Sequence, residues 1–143
     1  MKTIKIGSQE FNISCHASTY RDYADIFDRN IMKDLNTTQN FLRNEIKSLE
    51  KHKEDMPNAS AQEIQELIFE DTLDELNDFI DCITRMCWIC IYDNNKDIAS
   101  YEEWYNSLER LSLSDDWILE VMALCADCFR WQEINRSIKN NWR

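Results

Sequence analysis

The sequence predicts a mainly α single domain with an N-terminal two-stranded β-hairpin, and three observations carry that expectation. One glycine (Gly7) and one proline (Pro57) among 143 residues are too few for the tight turns of a sandwich, barrel or nucleotide-binding fold. Thr19 with Asp22, Ser60 with Glu63, and Ser100 with Glu103 have the spacing of capping boxes, which open helices. Between the last two, Phe69, Leu73, Leu76, Ile80, Ile83, Cys87 and Cys90 step by alternating intervals of four and three, one stripe of a long helix.

The elements follow in order. "TIKIGSQEFNI" alternates apolar and polar residues, with Ile4, Ile6, Phe11 and Ile13 on one side. It predicts a hairpin within residues 1–14 in which Gly7 takes a positive φ at the first turn position. A lone hairpin is marginal in water, so one face must lie on helices. A first helix is expected over 19–35, capped at Thr19, with Tyr20, Tyr23, Ala24 and Phe27 on one face. It should break near Asn30, because asparagine tolerates the left-handed backbone of a helix end.

Residues 36–60 read as a polar, lightly packed excursion, although Phe41, Leu42, Ile46 and Leu49 keep helical spacing. The central helix spans 61–92. Its first half is amphipathic and rich in acids; from Met86 it is apolar all round, which requires protein on every side. The C-terminal helices occupy 101–130: "SYEEWYNSLERL" turns Trp104, Leu108 and Leu111 inward, and Ser114 caps a helix carrying Ile118, Val121, Met122, Cys125 and Phe129. Residues 1–130 form the domain, and 131–143 are a basic tail with Trp131, Ile134, Ile138 and Trp142.

Charge narrows the function. The net charge is −11, and residues 61–129 hold seventeen acids against Arg85, Lys96 and Arg110. An acidic middle of that strength repels phosphate backbones, so no nucleic-acid partner is expected. Lys2 and Lys5 lead into Gln9, Glu10 and Asn12, which predicts no secretory leader. No apolar run approaches the roughly 20 residues that cross a bilayer, so no membrane association is expected. Six cysteines without a leader point to reduced thiols in a cytoplasm.

Chemistry-bearing motifs are sparse. Cys87-x-x-Cys90 and Cys125-x-x-Cys128 have the spacing of a four-thiolate zinc site, but both pairs lie on apolar helical stripes without glycine-rich turns. The reading is core packing, with no metal, cofactor or disulfide. His16 and His52 share no motif and are expected at the surface. The carboxylates of 63–81 lack the glycine turn of a calcium loop. No catalytic residue can be assigned, and the chain is not expected to be an enzyme.

The apolar surplus is the one functional signal. Met86, Trp88, Ile89 and Tyr92 lie off the main stripe, and Trp104, Trp117 and Trp131 follow. Exposed aromatic and methionine patches bind helices adaptably, which makes these seven the candidate partner-binding residues. The alternative is that they fill the core. Residues 86–92 must then be central, or else be completed by a second copy in a homo-oligomer.

The order of elements resembles a known family. A "KTIKIGSQEFNI" hairpin, the aromatic helix "TYRDYADIFDRNIMKDL", a long acidic-apolar helix and "SYEEWYNSLERLSLSDDWILEVMALC" are together similar to the tail assembly chaperones of long-tailed bacteriophages. The resemblance covers the layout of residues 1–129. It implies a protein of the host cytoplasm, absent from the mature virion. Such a chaperone binds the tape measure protein and holds it soluble while tail tube subunits polymerise around it. It also implies self-association, and it brings no catalytic residues. Two other classes stay open: an acidic phage-encoded inhibitor or DNA mimic acting on a host nuclease, and a helical oligomerisation module.

Overall fold

The computed structural model describes residues 1–113 and 115–129. The expected cap at Ser114 and the tail 131–143, Trp131 included, lie outside the described residues. Two strands, β1 (Lys2–Ile6) and β2 (Gln9–Ile13), are followed by α1 (Ala17–Phe27), α2 (Ile31–Asp55), α3 (Ala61–Asn94), α4 (Tyr101–Ser107) and α5 (Trp117–Phe129). The fold is mainly α with an N-terminal two-stranded antiparallel hairpin, as the sequence predicts.

The hairpin pairs Ile4 with Phe11 and Ile6 with Gln9, and Gly7 takes φ +62° at the turn. Ile4, Ile6 and Ile13 are buried against the helices. The Ser14 N–H donates to the Cys90 carbonyl at 3.1 Å, which ties the end of β2 to α3. At the turn end, Gln9 bridges the Ser107 carbonyl and the Glu109 N–H, at 3.3 and 3.0 Å.

Ser60 and Ser100 cap α3 and α4 as expected, accepting from the N–H groups of Glu63 and Glu103 at 3.2 and 3.3 Å. Thr19 does not cap α1. The helix begins three residues earlier, with His16 at the N-cap position, and Thr19 Oγ1 accepts from the His16 N–H at 2.9 Å. Near Asn30 the chain breaks at a different residue. Asp28 takes the left-handed conformation (φ 53°), and Asn30 starts α2, its side chain accepting from Met32 and Lys33.

The expected first helix 19–35 is therefore two helices, and residues 36–55 of the expected excursion 36–60 are the body of α2. Twenty-five residues give α2 a length of about 37 Å. It packs along α3, the most extensive pairing of elements in the structure. Its polarity hid this, because polar pairs line the interface: Ser48 Oγ donates to Asp71 at 2.6 Å, His52 Nε2 meets the same carboxylate at 2.7 Å, and Asn44 donates to Glu75 at 3.1 Å. His52, expected at the surface, has a side chain only 14% exposed.

The helix expected over 101–111 stops at Ser107. Its Oγ donates to the Trp104 carbonyl at 2.6 Å, and Gln9 takes over the next backbone groups, so Leu108 leaves in an extended conformation.

Asp34 joins three helices. Its carboxylate is buried and receives the Tyr23 hydroxyl from α1 and a fork from Arg29, at 2.8 Å from Nη2. Arg85 of α3 lies 3.7 Å away. Burial raises the carboxyl pKa, but the hydrogen bonds and positive charges of Arg29, Tyr23 and Arg85 outweigh it and leave Asp34 below the ordinary carboxylate range. A lowered folded-state pKa contributes stability above the unfolded value that is lost as pH falls through the folded one. Asp34→Ala should therefore destabilise the protein by about 3 kcal/mol at neutral pH. The difference from wild type should shrink in acid, as read by urea unfolding at several pH values.

Candidate functional site: an apolar cleft and a thiol cluster

The candidate partner-binding residues are placed in the core, not on a surface. Met86 and Ile89 are fully buried, and Trp88, Trp104 and Trp117 are at most 4% exposed. Trp88 stacks on half-buried Tyr92 with centroids 5.1 Å apart, takes the edge of Phe27 at 5.6 Å, and donates from Nε1 to the Ala99 carbonyl at 3.0 Å. Trp117 Nε1 donates to the Ser112 carbonyl at 2.7 Å. Residues 86–92 occupy the centre: α1, the hairpin, α4 and α5 all pack on α3. Five of the seven candidates thus belong to the interior, Tyr92 packs half-buried at its edge, and Trp131 lies outside the described residues.

Apolar surface sits elsewhere. The sequence stripe places Phe69 and Leu73 inward, yet they are 54% and 48% exposed. The inward positions of that half of α3 are Ile64, Thr72 and Phe79, which follow the face towards α2. Phe69, Leu73 and Leu76 form the flank of α3, at intervals of four and three. Leu42, Ile46 and Leu49 form the matching flank of α2, and Ile46 is 57% exposed. At the base of this strip a cleft of about 200 Å³ opens between α2, α3 and the start of α5. Leu42, Leu76, Leu113 and Leu119 line it together with Glu45, Asp115 and Asp116, and no lysine or arginine among the described residues does. Burial raises the pKa of Glu45. A concave apolar floor with acids and no base suits an amphipathic helix carrying basic residues. The sequence signal for it was present in Leu42, Ile46 and Leu49, whose spacing is helical without a buried role.

The thiols gather differently from the sequence pattern. Cys87 is fully buried and apart, and burial alone raises its pKa. Cys15, from the link between β2 and α1, joins Cys90 and Cys125 instead, and the three Sγ atoms lie within 4.8 Å of one another. Cys90 and Cys125 are 3.8 Å apart. Cys128, one turn beyond Cys125, interacts with the Cys15 thiol. Hydrogen bonds from Cys15 and Cys90 lower the Cys125 thiol pKa, while Cys15 in turn is raised to about 11, chiefly by Cys125. Asp93 holds the link that carries Cys15, receiving Ser14 Oγ at 2.6 Å, His16 Nδ1 at 2.7 Å and Thr19 Oγ1 at 2.9 Å. Cys15 carried no recognisable spacing, so the sequence could not place it in this group.

No protein-family model matches the chain, and no curated protein or solved structure matches it. Among the described residues, no helix is long and apolar enough to cross a membrane.

Trp88 gives a direct check on the interior placement. Trp88→Glu should bury an unpaired charge, cost several kcal/mol and leave the protein largely unfolded by circular dichroism. A folded, soluble monomer from that substitution would instead indicate a surface between copies.

Proposed function

We propose that this chain is a phage tail assembly chaperone that binds the tape measure protein and keeps it soluble during tail tube assembly. The observation that carries the reading is the exposed apolar strip along α2 and α3, which ends in an acid-lined cleft. Soluble proteins seldom leave Leu113 and Leu119 exposed at one cleft, and Ile46, Phe69 and Leu73 exposed further along α2 and α3, without a partner. A long helical client presents apolar stripes of the width that two antiparallel helices can grip, and the tape measure protein is such a client in the family this chain resembles. The acids have two tasks: Glu45, Asp115 and Asp116 select basic flanks on the client, and the net charge of −11 keeps the loaded complex apart from its neighbours. The chaperone works in the host cytoplasm and is released before the virion is complete. Contact with the tail tube protein and self-association belong to the same reading.

A second reading has one feature of its own. Glu63, Glu66, Glu70, Asp74 and Asp81 form an exposed carboxylate row on the outer face of α3, the pattern an inhibitor that imitates DNA phosphates would present to a host nuclease.

Co-expression with the tape measure protein separates the two. Wild-type chain should raise the soluble fraction of that protein and co-purify with it. Phe69→Glu with Leu73→Glu should abolish both, while shifting stability by only about 0.5 kcal/mol, because both side chains are already half in water. Retained co-purification by the double variant would remove the cleft from the binding surface. Failure of the wild-type chain to co-purify with the tape measure protein, together with inhibition of a host nuclease that charge reversal of the α3 carboxylates abolishes, would favour the nuclease inhibitor.

A further inference from the structure

We propose that Cys15, Cys90, Cys125 and Cys128 form a binding site for one zinc ion, which clips the link after β2 to α3 and α5. The proposal is independent of the chaperone reading. The geometry comes first. A zinc–sulfur bond of about 2.3 Å in a tetrahedron sets sulfurs about 3.8 Å apart. The Cys90 and Cys125 sulfurs stand at 3.8 Å, and Cys15 completes a triangle within 4.8 Å. Cys128 stands one turn beyond Cys125 on α5, outside that triangle, and a change of its rotamer would bring it in as the fourth donor.

Packing alone gives no reason for this arrangement. A thiol is a weak donor and a weak acceptor, so three of them gain little from facing one another. Cys87 shows what a packing cysteine looks like in this core: it is fully buried, with burial as its sole perturbation. The clustered thiols instead come from three separate elements, and their backbones are held by other bonds. The Ser14 N–H bond to Cys90 and the three hydrogen bonds to Asp93 fix the Cys15 link without help from sulfur. Three preformed sulfur donors with a fourth cysteine one turn away suit a soft or borderline ion and not calcium or magnesium, which take oxygen. Cys15 and Cys128 are only partly buried, which leaves a path for the ion.

The exchange is not a redox step. Hydrated Zn²⁺ sheds its water, each thiol gives one proton to solvent, and four zinc–sulfur bonds form.

The test uses the full-length chain, reduced and freed of metal. On adding zinc it should bind about one ion per chain and unfold at a higher temperature, and a chelator should reverse the gain. Cobalt in place of zinc should give an intense thiolate-to-cobalt charge-transfer band with tetrahedral visible bands. Cys15→Ser and Cys128→Ser should lose the ion, whereas Cys87→Ala should keep it. A folded, fully reduced wild-type chain that takes up neither zinc nor cobalt overturns the proposal, and so does unchanged zinc uptake by Cys15→Ser. Should the serine variants fail to fold, the wild-type cobalt spectrum decides, since its band intensity reports the number of thiolates.

Discussion

Everything in this fold is arranged around a stretch of α3 that is apolar on every side. Residues 86–91 are all buried, and a helix surrounds itself in this way only if other elements approach from all directions. The hairpin covers one side through Ile4, Ile6 and Ile13; α1 covers another with Tyr23 and Phe27; α4 brings Trp104 and α5 brings Trp117, Ile118, Val121 and Cys125. The short, irregular connections follow from that demand. Chain that would have extended α4 is diverted at Leu108 so that Leu108 and Leu111 can still reach the core.

How much of this was legible depends on whether local residues decided the outcome. Gly7, Ser60 and Ser100 act within a few residues of themselves, so the turn and two helix starts could be read directly. Thr19 has the same local signature but is claimed by a distant partner: its hydroxyl donates to Asp93 of α3, so it supports the cap from inside the helix. Asp28 took the bend expected of Asn30, because Asn30 was better employed holding two N–H groups of α2. In α2 the sequence misled for a physical reason. Periodicity arguments count apolar residues, whereas Ser48, Thr38 and Asp34 are buried in α2 through hydrogen bonds. The candidate site was the least legible part. A large aromatic side chain can be core or contact, and only the neighbours distinguish them. Trp88 has Phe27, Tyr92 and Tyr101 around it, while Phe69, on the same helix, has none of these.

Charge is distributed with the same division of labour. Buried acids are each matched: Asp34 by two arginines and a tyrosine, Asp93 by Ser14, His16 and Thr19. Other acids line the cleft or stand in water, with a row of them on α3. The negative surplus is therefore a property of the surface, while these two buried carboxylates are neutralised or hydrogen-bonded by their neighbours.

The polar seam between α2 and the first half of α3 sets a gradient of rigidity along the molecule. Near Phe41 and Phe79 the two helices meet through rings stacked 4.3 Å apart; further out they meet through Ser48, His52 and Asp71, whose bonds water can replace. Local opening draws on the weakest contacts first, so amide protons towards the outer end of the pair exchange with solvent well before those beside Trp88. Residues 56–60 tie the two helices together at that outer end, so loosening there frays the pair without separating it, and the packed body beside the aromatic stack is left undisturbed.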